Sequence, residues 1–293
     1  MTQPDSAPPR PASDPEFKAP LGSVDTHIHI LSAGDEFALS ETRVENPTPG
    51  LDMGGYIKAY RAQMRRLGTT RSVVVHSILY GGDNSVTLEA IRRLGISNTR
   101  GVGLLADDAS EAEIDTLRDA GVMGIRLNYV HGGILSWEGA KAMAPALAAR
   151  GMHIQLLINA HRHMRDLFDD IRALPVPVVL DHVGWPNMGL GPSEPGFHLL
   201  LNLLSEGHIH VKLSGLYRLS DEPFTHTDPF VETLVRTNPE HCLWGSDFPY
   251  IMLGDAQMPD AGLLLDAFHR TVGTARLRHR ILVENPTALY GFD

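Results

Sequence analysis

A single-domain (β/α)8 TIM barrel, of class α/β, is the fold this sequence predicts, on three observations. Eight short runs rich in β-branched and aliphatic residues alternate with helical segments at a spacing of roughly 25–35 residues, the pattern of a parallel sheet built from βα units. The chain of 293 residues suits one such barrel, which commonly takes about 250. No glycine-rich dinucleotide fingerprint follows the first strand, which favours a closed barrel over an open doubly wound sheet.

The elements follow in order. Residues 1–20 are rich in Pro, Ser and Asp and are expected to form a flexible tail, with the barrel occupying 21–293. The first strand is Ser23–Ile30, followed by a long irregular stretch to Gly55 that suggests a functional loop. Tyr56–Leu67 has helical spacing, Ser72–Ser77 is a buried-strand run, and Gly81–Asn84 leads into a helix through Arg93. After a third strand, Gly101–Leu105, Ser110 with Glu113 three residues later forms a capping box opening the next helix. Met123–Tyr129, Met152–Ile158, Val176–Leu180, Ile209–Leu213 and Cys242–Gly245 supply the remaining strands. Between and after them come helices at Gly139–Arg150, Ala160–Ala173, Phe197–Ser205, Pro229–Thr237 and Ala261–Val272, and a last one opened by Asn285-Pro286.

Composition narrows the function classes. The net charge of -10 argues against nucleic acid or an anionic membrane as the main partner. No apolar run approaches the roughly 18 residues a bilayer span needs. The single cysteine, Cys242, rules out an internal disulfide and fits a reducing, cytoplasmic compartment. The charge leaves room for a local basic pocket, so a small organic acid remains a possible partner. A homo-oligomer is compatible with the sequence and not fixed by it.

Chemistry in such barrels sits at the C-terminal ends of the strands, and polar residues collect there. In Val24-Asp25-Thr26-His27-Ile28-His29-Ile30, side chains alternate faces, so His27 and His29 point one way while Val24, Thr26, Ile28 and Ile30 point the other. His76 ends the second strand, and Arg126 and Asn128 share a face of the fourth. The sixth ends in Asp181-His182, the seventh carries Lys212 and Ser214 with Arg218 beyond, and the eighth ends in Gly245-Ser246-Asp247. Any one of these has a structural explanation. Six strands delivering polar groups to one rim do not, because buried charge is costly unless paired or used. No Gly-x-Ser-x-Gly elbow is present, so the available chemistry is Asp247 as a base toward water, imidazoles that polarise a carbonyl, and cations that anchor a substrate carboxylate.

The ordered set Asp25-Thr26-His27-Ile28-His29, Gly81-Gly82-Asp83-Asn84, Gly124-Ile125-Arg126-Leu127-Asn128, Asp181-His182-Val183-Gly184, Lys212-Leu213-Ser214-Gly215, Trp244-Gly245-Ser246-Asp247-Phe248-Pro249 and Glu284-Asn285-Pro286 resembles the amidohydrolase superfamily. Within it, the branch of 2-pyrone-4,6-dicarboxylate lactonase and sugar lactonases is the most similar, and the likeness runs from about Gly22 to Phe292. The resemblance implies that Asp247 activates the hydrolytic water and that His27, His29 and His182 surround the scissile carbonyl. It implies substrate binding by Arg126 and Arg218, while Lys212 matches a family lysine whose role the match leaves open. Asn128, His76, Lys212, Trp185 and Tyr250 complete the expected substrate pocket.

Several positions depart from the dicarboxylate lactonase pattern. Trp185 and Asn187 stand in a segment where that enzyme has an arginine, Leu157 replaces a tyrosine, and Phe248-Pro249-Tyr250 follows the terminal aspartate. A lactone with fewer acidic groups is therefore expected. The fifth strand has no histidine at its end and the fourth no lysine, so no cofactor is expected to be required. Were zinc or another divalent ion to bind, His27, His29 and Asp247 would hold it. The alternatives to a lactone hydrolase are a metal-dependent decarboxylase or hydratase of the same superfamily, a lactone isomerase, or a non-catalytic barrel.

Overall fold

A computed structural model describes residues 3–34 and 36–293. Its strands are β1 (Val24–Ile28), β2 (Arg71–Val75), β3 (Thr99–Gly103), β4 (Val122–Asn128), β5 (His153–Leu157), β6 (Val178–Leu180), β7 (Ile209–Leu213) and β8 (Cys242–Trp244). They lie side by side in chain order, and every neighbouring pair is parallel. The ring closes between β1 and the segment after β8. Asp247 N–H donates to the His27 carbonyl at 2.9 Å, His29 N–H to the Phe248 carbonyl at 2.6 Å, and Thr26 Oγ1 to the Trp244 carbonyl at 2.8 Å.

The crossovers are α1 (Met53–Leu67), α2 (Ser85–Leu94), α3 (Glu111–Asp119), α4 (Trp137–Ala148), α5 (Ala160–Ala173), α6 (Pro195–Glu206) and α7 (Asp228–Thr237). After β8 come α8 (Ala261–Thr271), α9 (Ala275–His279), a π-helical turn at Arg280–Glu284 and α10 (Asn285–Tyr290). The α5 sequence shows why these segments are helices that dock: Met164, Leu167 and Ile171 recur at helical spacing and are buried, with Arg and Asp on the other face. The Ser110–Glu113 capping box forms as the sequence implies. Helix α1 starts three residues earlier than expected, because Asp52 accepts from Gly55 N–H at 2.7 Å and so tolerates two glycines in the first turn. Strand β6 starts at Val178 and not Val176, since Pro177 has no N–H to give the ladder.

Two apolar cores result. One lies between the sheet and the helices; the other fills the N-terminal half of the barrel with Val24, Val73, Val102, Met123, Val179 and Leu243, plugged from below by Tyr290 and Phe292. Val24 therefore faces inward, against the simple alternation expected for β1. The β1–β2 register shifts between Asp25 and Ile28, which resets the parity so that Ile28 packs outward against the helices.

Residues 3–20, expected as a flexible tail, lie extended along the barrel. Ser6 N–H donates to the Asn46 carbonyl at 2.9 Å, Ser13 N–H to Asp260 at 2.9 Å, and Ala19 N–H to the Leu67 carbonyl at 2.7 Å, with Arg10 paired to Glu222 at 3.0 Å. These bonds tie the segment to three separate loops and to the end of α1, and supply partners for a backbone with no helix or strand of its own. No helix among the described residues is long and apolar enough to cross a membrane.

Candidate active site

At the C-terminal mouth of the barrel lies a cavity of about 360 Å³. Its floor is His29, His182 and Asp247, with His27 directly beneath. All four side chains are almost wholly removed from solvent. The His27 ring meets His29 edge-on at 5.1 Å between centroids and lies 4.8 Å from His182. Two glycines make room: a Cβ at Gly245 would sit 2.8 Å from His27 Cβ, and one at Gly215 would sit 2.6 Å from His182 Nδ1. His182 and Asp247 both adopt positive φ, at 52° and 67°, a left-handed conformation costly for non-glycine residues.

The two oxygens of Asp247 have different tasks. Oδ2 accepts from Tyr217 Oη at 2.7 Å and from Arg218 Nε and Nη2 at 3.2 and 3.1 Å. Oδ1 accepts no hydrogen bond among the described residues and faces His27 Nε2 at 3.5 Å and His29 Nε2 at 3.7 Å. Burial alone would raise this carboxyl, but the groups facing it, His182 first and then Arg218, outweigh burial and hold it well below the usual carboxylate range. Of these, Arg218 is the permanent charge.

Burial keeps the three imidazoles neutral. It lowers His27 against the opposing pull of Asp181, lowers His29 well below its ordinary value, and takes His182 down to about 3. Their tautomers differ. His29 Nδ1 lies 2.8 Å from the Val75 carbonyl, which can only accept, so Nδ1 carries the proton and Nε2 is a lone pair. His182 Nδ1 lies 3.0 Å from Ser214 Oγ, a hydroxyl that can give or take, and His27 Nδ1 lies between Asp181 Oδ1 at 3.2 Å and Lys212 Nζ at 3.4 Å. Both can present Nε2–H to the cavity side.

Sequence comparison fits this geometry. Residues 24–292 match the family model described as amidohydrolase. The chain is 33% identical over 292 residues to a 2-pyrone-4,6-dicarboxylate hydrolase of Comamonas testosteroni, covering 95% of this chain and 93% of that one. The chain belongs to the amidohydrolase family. A 4-sulfomuconolactone hydrolase of Rhizobium radiobacter is 33% identical over 297 residues, covering 97% and 95%. In fold, this amidohydrolase resembles the crystal structure of a probable 2-pyrone-4,6-dicarboxylic acid hydrolase from Acinetobacter baumannii with citric acid bound, at a TM-score of 0.81 and 22% identity over 93% of this chain and 100% of that one.

Of the residues expected in the substrate pocket of this amidohydrolase, Arg126, Asn128, Trp185 and Arg218 line the cavity. Three do not. His76 is enclosed, with Nδ1 on Thr87 Oγ1 at 3.0 Å and Nε2 on the Gly81 carbonyl at 2.8 Å, so its ring orders the loop after β2. Tyr250 is buried with its hydroxyl on Gln63 Oε1 at 3.0 Å. Lys212 is fully buried beneath the floor, 2.6 Å from Gln155 Oε1 and 3.7 Å from Asp181 Oδ1. Burial lowers this lysine to about 8, with Asp181 opposing. Arg218 reaches the cavity, yet its nitrogens are spent on Asp247 and on the Ile251 and Met252 carbonyls at 2.9 and 3.1 Å.

Sequence reasoning missed Tyr217, Gln155 and the supporting role of Asp181. Gln155 carried a signal, being a polar residue at an inward position of a short strand; Tyr217 had none, since it sits in a single turn after β7. As for a metal, His27, His29 and Asp247 bring one donor atom each to within 4.8 Å of one another. His27 Nε2 is buried without a hydrogen-bond partner among the described residues, and the tautomer with Nδ1–H toward Asp181 would turn its Nε2 lone pair inward beside that of His29. The donor set fits a divalent ion such as zinc. An ion bound there would act as a Lewis acid on a carbonyl and lower the pKa of a bound water.

Proposed function

We propose that this amidohydrolase hydrolyses a small lactone, with Asp247 as the base that activates water and no metal required. The observation that carries the reading is the division of labour at Asp247, one oxygen fixed by Tyr217 and Arg218 and the other turned toward His27 and His29. A water at Oδ1 has a second acceptor in His29 Nε2, so its protons are held and its oxygen lone pair is free to attack. The lactone carbonyl oxygen faces His182 and His27, whose Nε2–H groups stabilise the oxyanion as neutral donors. As the acyl–oxygen bond breaks, the ring oxygen leaves and takes the proton that Asp247 received. The product is an open-chain hydroxy acid, which releases one proton to bulk near neutral pH.

Relatives that are lactone hydrolases at a third identity support the reaction class. Acid release from a panel of lactones, followed with a pH indicator, tests it. Turnover of one class is expected, and Asp247→Asn should cut kcat at least a thousandfold while leaving substrate affinity within a few fold. Retention of most activity by that variant would remove Asp247 from the role of base.

The three-donor set favours a second reading, a metal-dependent decarboxylase or hydratase acting on an unsaturated acid. Chelator treatment separates the two. Loss of all turnover on dialysis against a chelator, with recovery on zinc addition, would favour the second.

A further inference from the structure

The walls of the cavity are unlike, and the order of strands around the barrel sorts them. On the side of β1 to β4 the lining is polar: His29, Ser77, Arg126, Asn128 and His131, with Ile78 among them. On the side of β5 and β6 and in the segment after β8 it is apolar: Leu157, Trp185, Ile251, Met252, Leu253 and Ala256. An apolar wall of this extent selects substrates by shape and burial, and it penalises any charge placed against it.

The cations are as unevenly distributed. Arg218 is tied to Asp247 and to two carbonyls. Lys212 lies under the floor and does not line the cavity. Among the described residues Arg126 has only two long bonds, to the His76 carbonyl at 3.2 Å and to Asp181 at 3.4 Å, and its Nε has no partner there. Beside it Asn128 accepts from His131 N–H at 2.9 Å through Oδ1, which leaves its amide end as a donor. One anion seat therefore exists, on β4. Opposite it, exposed Asp255 lines the apolar side and forms no ion pair among the described residues, so a second substrate anion would meet repulsion there.

We propose that the substrate is a lactone bearing a single carboxylate, seated on Arg126 and Asn128, and an alkyl or aryl substituent that packs against Leu157, Trp185 and Ile251–Leu253. This rests on the hydrolytic reading above and narrows it. The lactone carbonyl lies over the histidine floor, the carboxylate points to β4, and the apolar group fills the opposite wall.

Four lactones sharing one five-membered ring test the assignment: a monocarboxylate, the same with a butyl or phenyl group, a dicarboxylate, and a polyhydroxylated aldonolactone. With kcat/KM compared at one pH and ionic strength, the substituted monocarboxylate should lead the plain one tenfold or more, each buried methylene contributing about fourfold. The dicarboxylate and the aldonolactone should trail by at least tenfold. Trp185→Ala should shrink the advantage of the apolar group to about threefold or less, and Arg126→Met should erase the advantage of the carboxylate. Turnover led by the dicarboxylate or the aldonolactone overturns the assignment while leaving lactone hydrolysis standing. Silence on all four compounds refutes the hydrolytic reading and this inference together.

Discussion

Arg218 separates two accounts of the pocket, and replacing it by methionine distinguishes them. If the side chain served as a substrate anchor, its loss would weaken binding of a carboxylated lactone and leave the chemistry alone. In the structure it lies 3.1 Å from Asp247 Oδ2, in a setting only 13% exposed. At that separation and an effective dielectric of about 20, the Coulomb attraction is roughly 5 kcal/mol before the cost of burial. At about 1.4 kcal/mol per pKa unit, even half of it would lift the Asp247 carboxyl by about 2 units. Burial, which already pushes that carboxyl upward, would then be less opposed. In wild type Asp247 stays ionised throughout the working range and contributes no acid limb to the pH profile of kcat/KM. In Arg218→Met the limb should move up by about 2 pH units, so that activity along an acid series falls sooner than in wild type. Stability should follow the same sign. A carboxyl held low in the native state contributes stability that is complete above its unfolded value of about 4 and is lost on further acidification. The variant lacks that contribution and should melt lower at neutral pH, since breaking a buried pair costs about 3–5 kcal/mol. The assay is a pH series of initial rates on folded variant, with KM and kcat resolved at each point. A tenfold rise in KM with an unchanged profile would instead make Arg218 a substrate anchor.

Two further outcomes follow from groups beneath the floor. Lys212, pressed to about 8 by burial, should give kcat an alkaline limb near that pH as the ammonium beside His27 is lost; Lys212→Arg should move the limb out of range, and an unmoved limb would dissociate it from this lysine. Gly245→Ala places a Cβ 2.9 Å from His27 N, so overpacking of about 1–3 kcal/mol is expected, lowering Tm by a few degrees and turnover at least tenfold. A neutral result would mean that the close approach of β8 to His27 is not needed.

The barrel was legible because each βα unit declares itself locally, through an aliphatic strand followed by a helical stripe. The exceptions have local causes: Pro177 withholds a ladder N–H, Asp52 caps a glycine-rich turn, and an irregular register at Asp25 flips Val24 inward. Residues that strands bring to the cavity or its floor, such as His27, His29 and Arg126, were legible by parity. Parity says which face a side chain takes but not its depth. Lys212 and His76 were expected in the pocket because they share a face with groups that reach it, yet each is buried among partners of its own. Tyr217 and the commitment of Arg218 to Asp247 depend on how two irregular segments, after β7 and after β8, fold toward each other. No local pattern encodes that meeting.

On the mechanism proposed here, the joint between β1 and the end of β8 makes catalysis and foldedness inseparable. The bonds that close the ring run from Asp247 N–H to the His27 carbonyl and from His29 N–H to the Phe248 carbonyl, so the last stitch of the barrel is sewn through the floor of the cavity. A barrel that loosens at this point loses the alignment of Asp247 with the imidazoles. Amide exchange at Asp247 and His29 would thus report how often the enzyme is momentarily inert, and evolution cannot relax this joint to gain mobility at the mouth without disarming the chemistry.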